Sequence, residues 1–197
     1  IGEMYLKKDR EKLYEYTEKL FKNFREKSGI THWYFILPDG HVFLRVHDKN
    51  LYGDEITRYT FQEARDEKNI STGLELGKTA YALRAVSPFY YGGQLIGYVE
   101  VGEEIDHFLG LLKLSANAEL SLVAKKELLS KDDWASVRKE AGLKNNWDDS
   151  EKYLLIANTL TEFSEQDKCF SENNLENLEN GQLLTQVIQQ GDKYWKC

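Results

Sequence analysis

Cysteine is nearly missing from this 197-residue chain, which has only Cys169 and Cys197. Two thiols are too few for a disulfide scaffold. Without a CxxC or CxxCH pair, a thiol-ligated zinc or an attached haem has no seat. The two either bridge one another in an oxidising compartment or stay as buried thiols. Proline is equally scarce, at two residues, and no Pro/Ser-rich linker divides the chain. No apolar run approaches the roughly 20 residues needed to cross a bilayer, and no secretory signal is present. Lysine and arginine never gather into a stripe free of acids, and the net charge is −7, which argues against a nucleic-acid binder. Enzyme signatures are missing too: there is no GxSxG, P-loop, HExxH or Rossmann glycine set. His32, His41, His47 and His107 show no paired metal spacing, so no metal or cofactor is expected.

What is present is enough for a packed core: 41% hydrophobic and 13% aromatic residues, which excludes a disordered chain. The chain begins at Ile1 rather than Met and ends in Lys193 to Cys197 like a strand cut short. An excerpt of a longer protein is therefore expected.

Residues 3–28 read as one long charged helix. Leu6, Leu13 and Leu20 fall seven apart, with Tyr16 and Phe24 widening the stripe. Such a stripe lies on its own domain or pairs with a copy of itself, in which case Leu13 and Leu20 form the seam. Ser28-Gly29 ends the helix. Trp33 to Leu37 is aromatic and branched, Pro38-Asp39-Gly40 turns the chain, and Val42 to His47 returns as the second strand of a hairpin. A helical stretch from Asp54 to about Lys68 follows, with Asp54 placed to cap it. Leu74 to Leu76 is a short strand. Thr79–Tyr90 and Gln94–Val101 pair around Gly92-Gly93, and 103–114 is a helix. After residue 115 the pattern weakens. Strands are expected at 120–124 and 153–158, a helix at 132–141, a loop with a short helix over 164–181, and a strand pair 182–190 with 194–197.

One constellation carries chemistry. Phe43, Arg45 and His47 alternate onto one face of the second strand, with Leu44 and Val46 opposite. Arg84 stands likewise among apolar residues of a later strand. A strand arginine in such company must meet an anion. Either Glu75 or Glu100 closes a salt bridge within the sheet, or an arginine fork holds a ligand's carboxylate. On the ligand reading, Arg45 and Arg84 approach a common cavity with at least one guanidinium unpaired, walled by the hydroxyl-tipped Tyr34, Tyr52, Tyr81 and Tyr98.

The runs W-Y-F-I-L-P-D-G-H-V-F-L-R-V-H (33–47) and L-Y-G-D-E-I (51–56) with Arg58, then G-L-E-L-G (73–77), A-L-R-A-V-S-P (82–88) and G-G-Q-L-I-G-Y-V-E-V-G (92–102), together resemble the double-Cache superfamily. These are sensory domains outside the membrane in methyl-accepting chemotaxis proteins, sensor histidine kinases and diguanylate cyclases. The resemblance implies an α+β fold with a long N-terminal dimerisation helix (1–30) and a PAS-like, mostly antiparallel sheet enclosing a ligand (31–114); the residues beyond (115–197) read as a smaller second α+β lobe, which departs from the family in being short of a full Cache module. It implies Arg45, His47, Asp54, Arg58, Glu75 and Arg84 as the polar set near the pocket, and no reaction catalysed. The expected function is that of an extracytoplasmic, periplasmic sensor of a small molecule such as a carboxylate, in a membrane-anchored homodimeric receptor, with chemotaxis the leading output. The alternative readings are a cytosolic PAS-type cofactor-binding domain and a structural dimerisation module.

Overall fold

The structure, a computed structural model, describes residues 1–77, 81–159, 175, 187–190 and 193–196. The readings made for Cys169, Cys197 and most of 160–186 lie outside those residues.

The N-terminal stretch is two helices rather than one: α1 (Gly2–Leu6) and α2 (Arg10–Ser28). Lys8 takes a left-handed φ of 55°, and Asp9 starts α2 afresh, its side chain accepting a hydrogen bond from the Lys12 amide at 3.3 Å. The break lets Tyr5 turn inward, where it is 1% exposed and its hydroxyl donates to the Ile36 carbonyl. Gly97 makes room for it: a Cβ there would stand 2.0 Å from the Tyr5 hydroxyl. Gly29, at φ 68°, closes α2 as a left-handed cap.

Then come β1 (His32–Ile36), β2 (Val42–Arg45), α3 (Tyr59–Glu67), β3 (Ser71–Leu76), β4 (Tyr81–Tyr91) and β5 (Gln94–Glu104). The five strands form one antiparallel sheet in the order β2-β1-β5-β4-β3. The fold class is therefore α+β, with N-terminal helices on a mostly antiparallel sheet. One face of the sheet packs Trp33, Phe35, Leu44 and Val46 against Leu13 and Phe21 of α2. The other packs Tyr34, Ile36, Val42, Val86 and Tyr98 against Phe61 and Ala64 of α3. A register shift between Phe35 and Ile36 turns Phe43 to the α2 side, where it stacks on Tyr5 at 5.5 Å. Phe43 thus does not share a face with Arg45, contrary to the alternation read from sequence.

Leu13 is fully buried within this core, so it does not form an intermolecular seam. Tyr16 and Phe24 are the exposed large residues of α2, at 51% and 38%. No described helix is long and apolar enough to cross a membrane.

Strand β5 runs directly into α4 (Ile105–Ala116), with Glu104 as the capping residue and no loop between them. Beyond lie β6 (Ser121–Lys125), α5 (Lys131–Glu140) and β7 (Tyr153–Asn158); β6 and β7 pair antiparallel. Ile105 and Leu109 of α4 join Trp134, Leu154 and Ile156 in a separate core, onto which Leu76 and Tyr81 of the larger sheet also pack. A last antiparallel pair, β8 (Val187–Gln190) and β9 (Lys193–Lys196), completes the described chain.

Candidate functional site

The α3 side of the sheet carries a buried polar cluster. Period-two alternation puts His32 and Tyr34 of β1 on this face, opposite Gly102 and Glu100 of β5. Arg45 faces Tyr34 from β2, and Arg84 lies across from Gly102 on β4. Missing side-chain bulk at Gly102 leaves room beside the Arg84 guanidinium, whose Nη1 would lie 3.6 Å from a Cβ there.

Arg45 is fully engaged. It forms a two-pronged bond to Asp54 at 2.7 and 2.8 Å and donates to the Leu51 carbonyl at 2.7 Å. Asp54 is therefore the partner of Arg45 and not the cap of a helix. The helix begins later, with Arg58 as its N-cap residue. Arg84 donates to Glu100 at 2.7 Å, and Arg58 donates to the same carboxylate at 2.6 Å. Two guanidinia thus share one carboxylate that is wholly buried, which leaves one positive charge in excess. Among the described residues, the Nε atoms of both Arg58 and Arg84 are buried without a hydrogen-bond partner, an unusual and costly state for strong donors. The Tyr34 ring lies between guanidinia, 5.1 Å from Arg45 and 5.4 Å from Arg58.

The histidines beside this cluster are held neutral. Burial lowers His32 to about 3, helped by His47 and the nearby guanidinia. Burial, then Arg45, lowers His47 to about 4. His47 Nδ1 accepts the Trp33 amide at 3.2 Å, a bond that an unprotonated nitrogen alone can make. Glu75, on β3, accepts from the Thr60 amide at 2.9 Å and the Thr60 hydroxyl at 2.7 Å, and so anchors the start of α3.

A cleft of about 680 Å³ opens at this end of the sheet, with Arg58, Glu75 and Tyr81 in its wall. Burial raises the Tyr81 phenol above its ordinary range, with the Glu75 charge adding to the effect. Neither Arg45 nor Arg84 lines the cleft among the described residues, and both are carboxylate-paired. The expected common cavity with a free strand arginine is not what the fold builds; Arg58, on the loop before α3, is the arginine that reaches the opening. Tyr52 is 53% exposed and lies 3.6 Å from the Arg10 guanidinium on α2. Tyr98 is core, edge-on to Phe61 at 5.1 Å. Thr60 and His32 belong to the polar network without having been picked out from sequence. The alternation His32-Tyr34 on β1 is the signal for His32, whereas Thr60 has none.

Residues 3–146 match the sequence profile of the family described as the double sensory domain of two-component sensor kinase, a double-Cache family. The chain belongs to that family. Solved structures similar to this double-Cache domain include a domain of a sensory box/GGDEF family protein from Vibrio parahaemolyticus. It is 19% identical with a TM-score of 0.48, over 61% of this chain and 54% of that one. The sensor domain of the V. cholerae histidine kinase DctB is 13% identical, TM-score 0.49, over 74% and 64%. The ligand-binding domain of a Campylobacter jejuni chemoreceptor, in complex with 4-methylisoleucine, is 17% identical, TM-score 0.43, over 60% and 49%. The chain thus spans between about half and two thirds of the length of these structures. A comparison with curated proteins gives no match. Membership of the family makes this a sensory domain.

Proposed function

We propose that this double-Cache domain is the extracytoplasmic ligand-binding part of a membrane-anchored receptor, a chemoreceptor foremost, and that the cleft at Arg58 takes a small molecule through a carboxylate or similar anion. The observation that supports this is the charge balance behind the cleft wall: Arg58 and Arg84 share the single carboxylate of Glu100, and each keeps a buried, unpartnered Nε. An anion seated at Arg58 supplies the missing negative charge. Glu75 and Tyr81 complete the wall, while Tyr34, Arg45, His47, Asp54 and Arg84 hold Arg58 and its surroundings in place from behind.

The domain binds and releases its ligand unchanged. The carboxylates of the network are each committed: Asp54 to Arg45, Glu75 to Thr60, and the buried Glu100 to two arginines. Arg58 is both cleft residue and the cap position of α3, so a ligand that prefers one placement of its guanidinium also selects one placement of that helix. The larger sheet with its N-terminal helices and the residues from 115 onward act as two modules. The receptor pairs with a copy of itself along the outer side of α2, through Tyr16 and Phe24.

The test is a thermal-shift screen of small carboxylates, followed by calorimetry with the strongest against wild type and Arg58→Gln. A tenfold or greater loss in the variant is expected. Unchanged affinity in a folded Arg58→Gln protein would overturn the reading.

A further inference from the structure

The segment 48–54, between β2 and α3, is held from both faces of the sheet. From the α3 side, Arg45 takes the Leu51 carbonyl at 2.7 Å and pairs with Asp54. From the α2 side, Arg10, the first residue of that helix, donates to the Lys49 carbonyl at 2.7 Å. Its guanidinium also lies over the Tyr52 ring. Lys49 reaches back to the same turn of α2, its ammonium 3.8 Å from Glu11 and 4.8 Å from the centre of the Tyr14 ring. Two arginines from opposite faces thus hold carbonyls two residues apart. Gly53, at a left-handed φ of 87°, then turns the chain against the outer edge of β2. There the Gly53 amide donates to Val42 at 2.8 Å and the Ile56 amide to Gly40 at 2.9 Å. Arg58 follows two residues later, joined to Arg45 through the Tyr34 ring. Leu51 and Tyr52 are exposed, so polar contacts rather than burial set the place of this segment. A segment held in that way opens at low cost.

We infer that residues 48–54 form a clamp around the β2 edge that couples α2 to the buried arginines, closed only when both arginine grips are made. The coupling is reciprocal. A change at the arginine cluster is felt at the first turn of α2, and a shift of α2 is felt at Arg58. The use of the clamp in sensing rests on the readings of Arg58 and of the outer side of α2 proposed above. The clamp itself involves no ligand, so its failure and theirs are separate.

Amide hydrogen exchange of the 197-residue chain tests it. Arg10→Ala should speed exchange about tenfold at Gly53 and also at Ile56, beyond Asp54, the combined scale of an exposed cation–π contact and a hydrogen bond. Asp54→Asn should do the same from the inner end. It should also speed exchange about threefold at Leu13, whose amide closes the first turn of α2 on Asp9. The double variant should exchange at Gly53 no faster than the faster single one, because one lost grip already opens the clamp. Unchanged exchange at Ile56 in Arg10→Ala would overturn the clamp whatever the inner variant does. So would a rise shared equally by the β4–β5 amides, or effects that multiply in the double variant as two independent contacts would.

Discussion

Trp33, Phe35, Leu44 and Val46 give one face of the sheet to α2, in a core of apolar side chains. His32, Arg45, Arg84 and Glu100 lie on the opposite face, as deeply buried, beside the apolar packing of Ile36, Val42 and Val86 on Phe61. The first face is held chiefly by buried apolar area. The second is held by pairing and is left one negative charge short. The two sides of the sheet thus differ in the buried ion cluster that the α3 side carries, and an apolar replacement of such a cluster is often no less stable.

The largest effect expected from breaking this comparison is at Glu100. Glu100→Ala leaves two guanidinia buried without their carboxylate and should cost about 3–5 kcal/mol in urea unfolding. Replacing the cluster together, Glu100→Leu with Arg58→Met and Arg84→Met, should recover most of that loss and abolish anion binding. A triple variant as unstable as the single one would show that the cluster serves the fold first. On the other face, Leu13→Ala should cost about 2–5 kcal/mol by leaving a cavity, with ligand affinity unchanged once the protein is folded.

A pH series sharpens the same contrast. His32 and His47 titrate at about 3 and about 4 in the folded chain, against 6.5 in its absence. The unfolded chain therefore takes up protons first as pH falls. The stability these histidines give as neutral groups is complete above pH 6.5 and declines toward pH 4 and below. At pH 4.5 the loss should be on the order of 2 kcal/mol for each. His32→Gln and His47→Gln should each flatten the pH dependence of the unfolding midpoint; a slope unchanged in both would place the acid sensitivity elsewhere. The smallest effect is at Tyr16, half-exposed on α2: Tyr16→Ala should move stability by no more than about 0.5 kcal/mol while shifting any dimer seen by light scattering toward monomer.

The hairpins were legible because their strands are apolar and aromatic runs bounded by turn residues, Pro38-Asp39-Gly40 and Gly92-Gly93, and the structure shifts their ends by only a few residues, shortening β2 to Arg45 and extending β5 to Glu104. The helix break was not, because Lys8 is an ordinary residue in an unusual conformation, and what rewards the turn is a tertiary contact of Tyr5 with Ile36. Asp54 misleads for a related reason. Its place before a helix suits a cap, yet a buried guanidinium nine residues upstream is the stronger claim on a carboxylate. For the site, sequence shows that strand arginines need anions and offers Glu100 as one. It does not show that a third arginine, from a loop, shares that partner. That depends on how separate elements pack, which no local pattern encodes.

The join between β5 and α4 has a mechanical meaning. Glu100 lies four residues before the strand ends, about 13 Å of extended backbone, and the helix starts at the next residue with nothing slack between them. The strand carries the shared carboxylate, and the helix that continues it is set, through Ile105 and Leu109, in the core around Trp134. A displacement imposed where the arginines grip therefore has no connecting loop to absorb it before the chain enters that core.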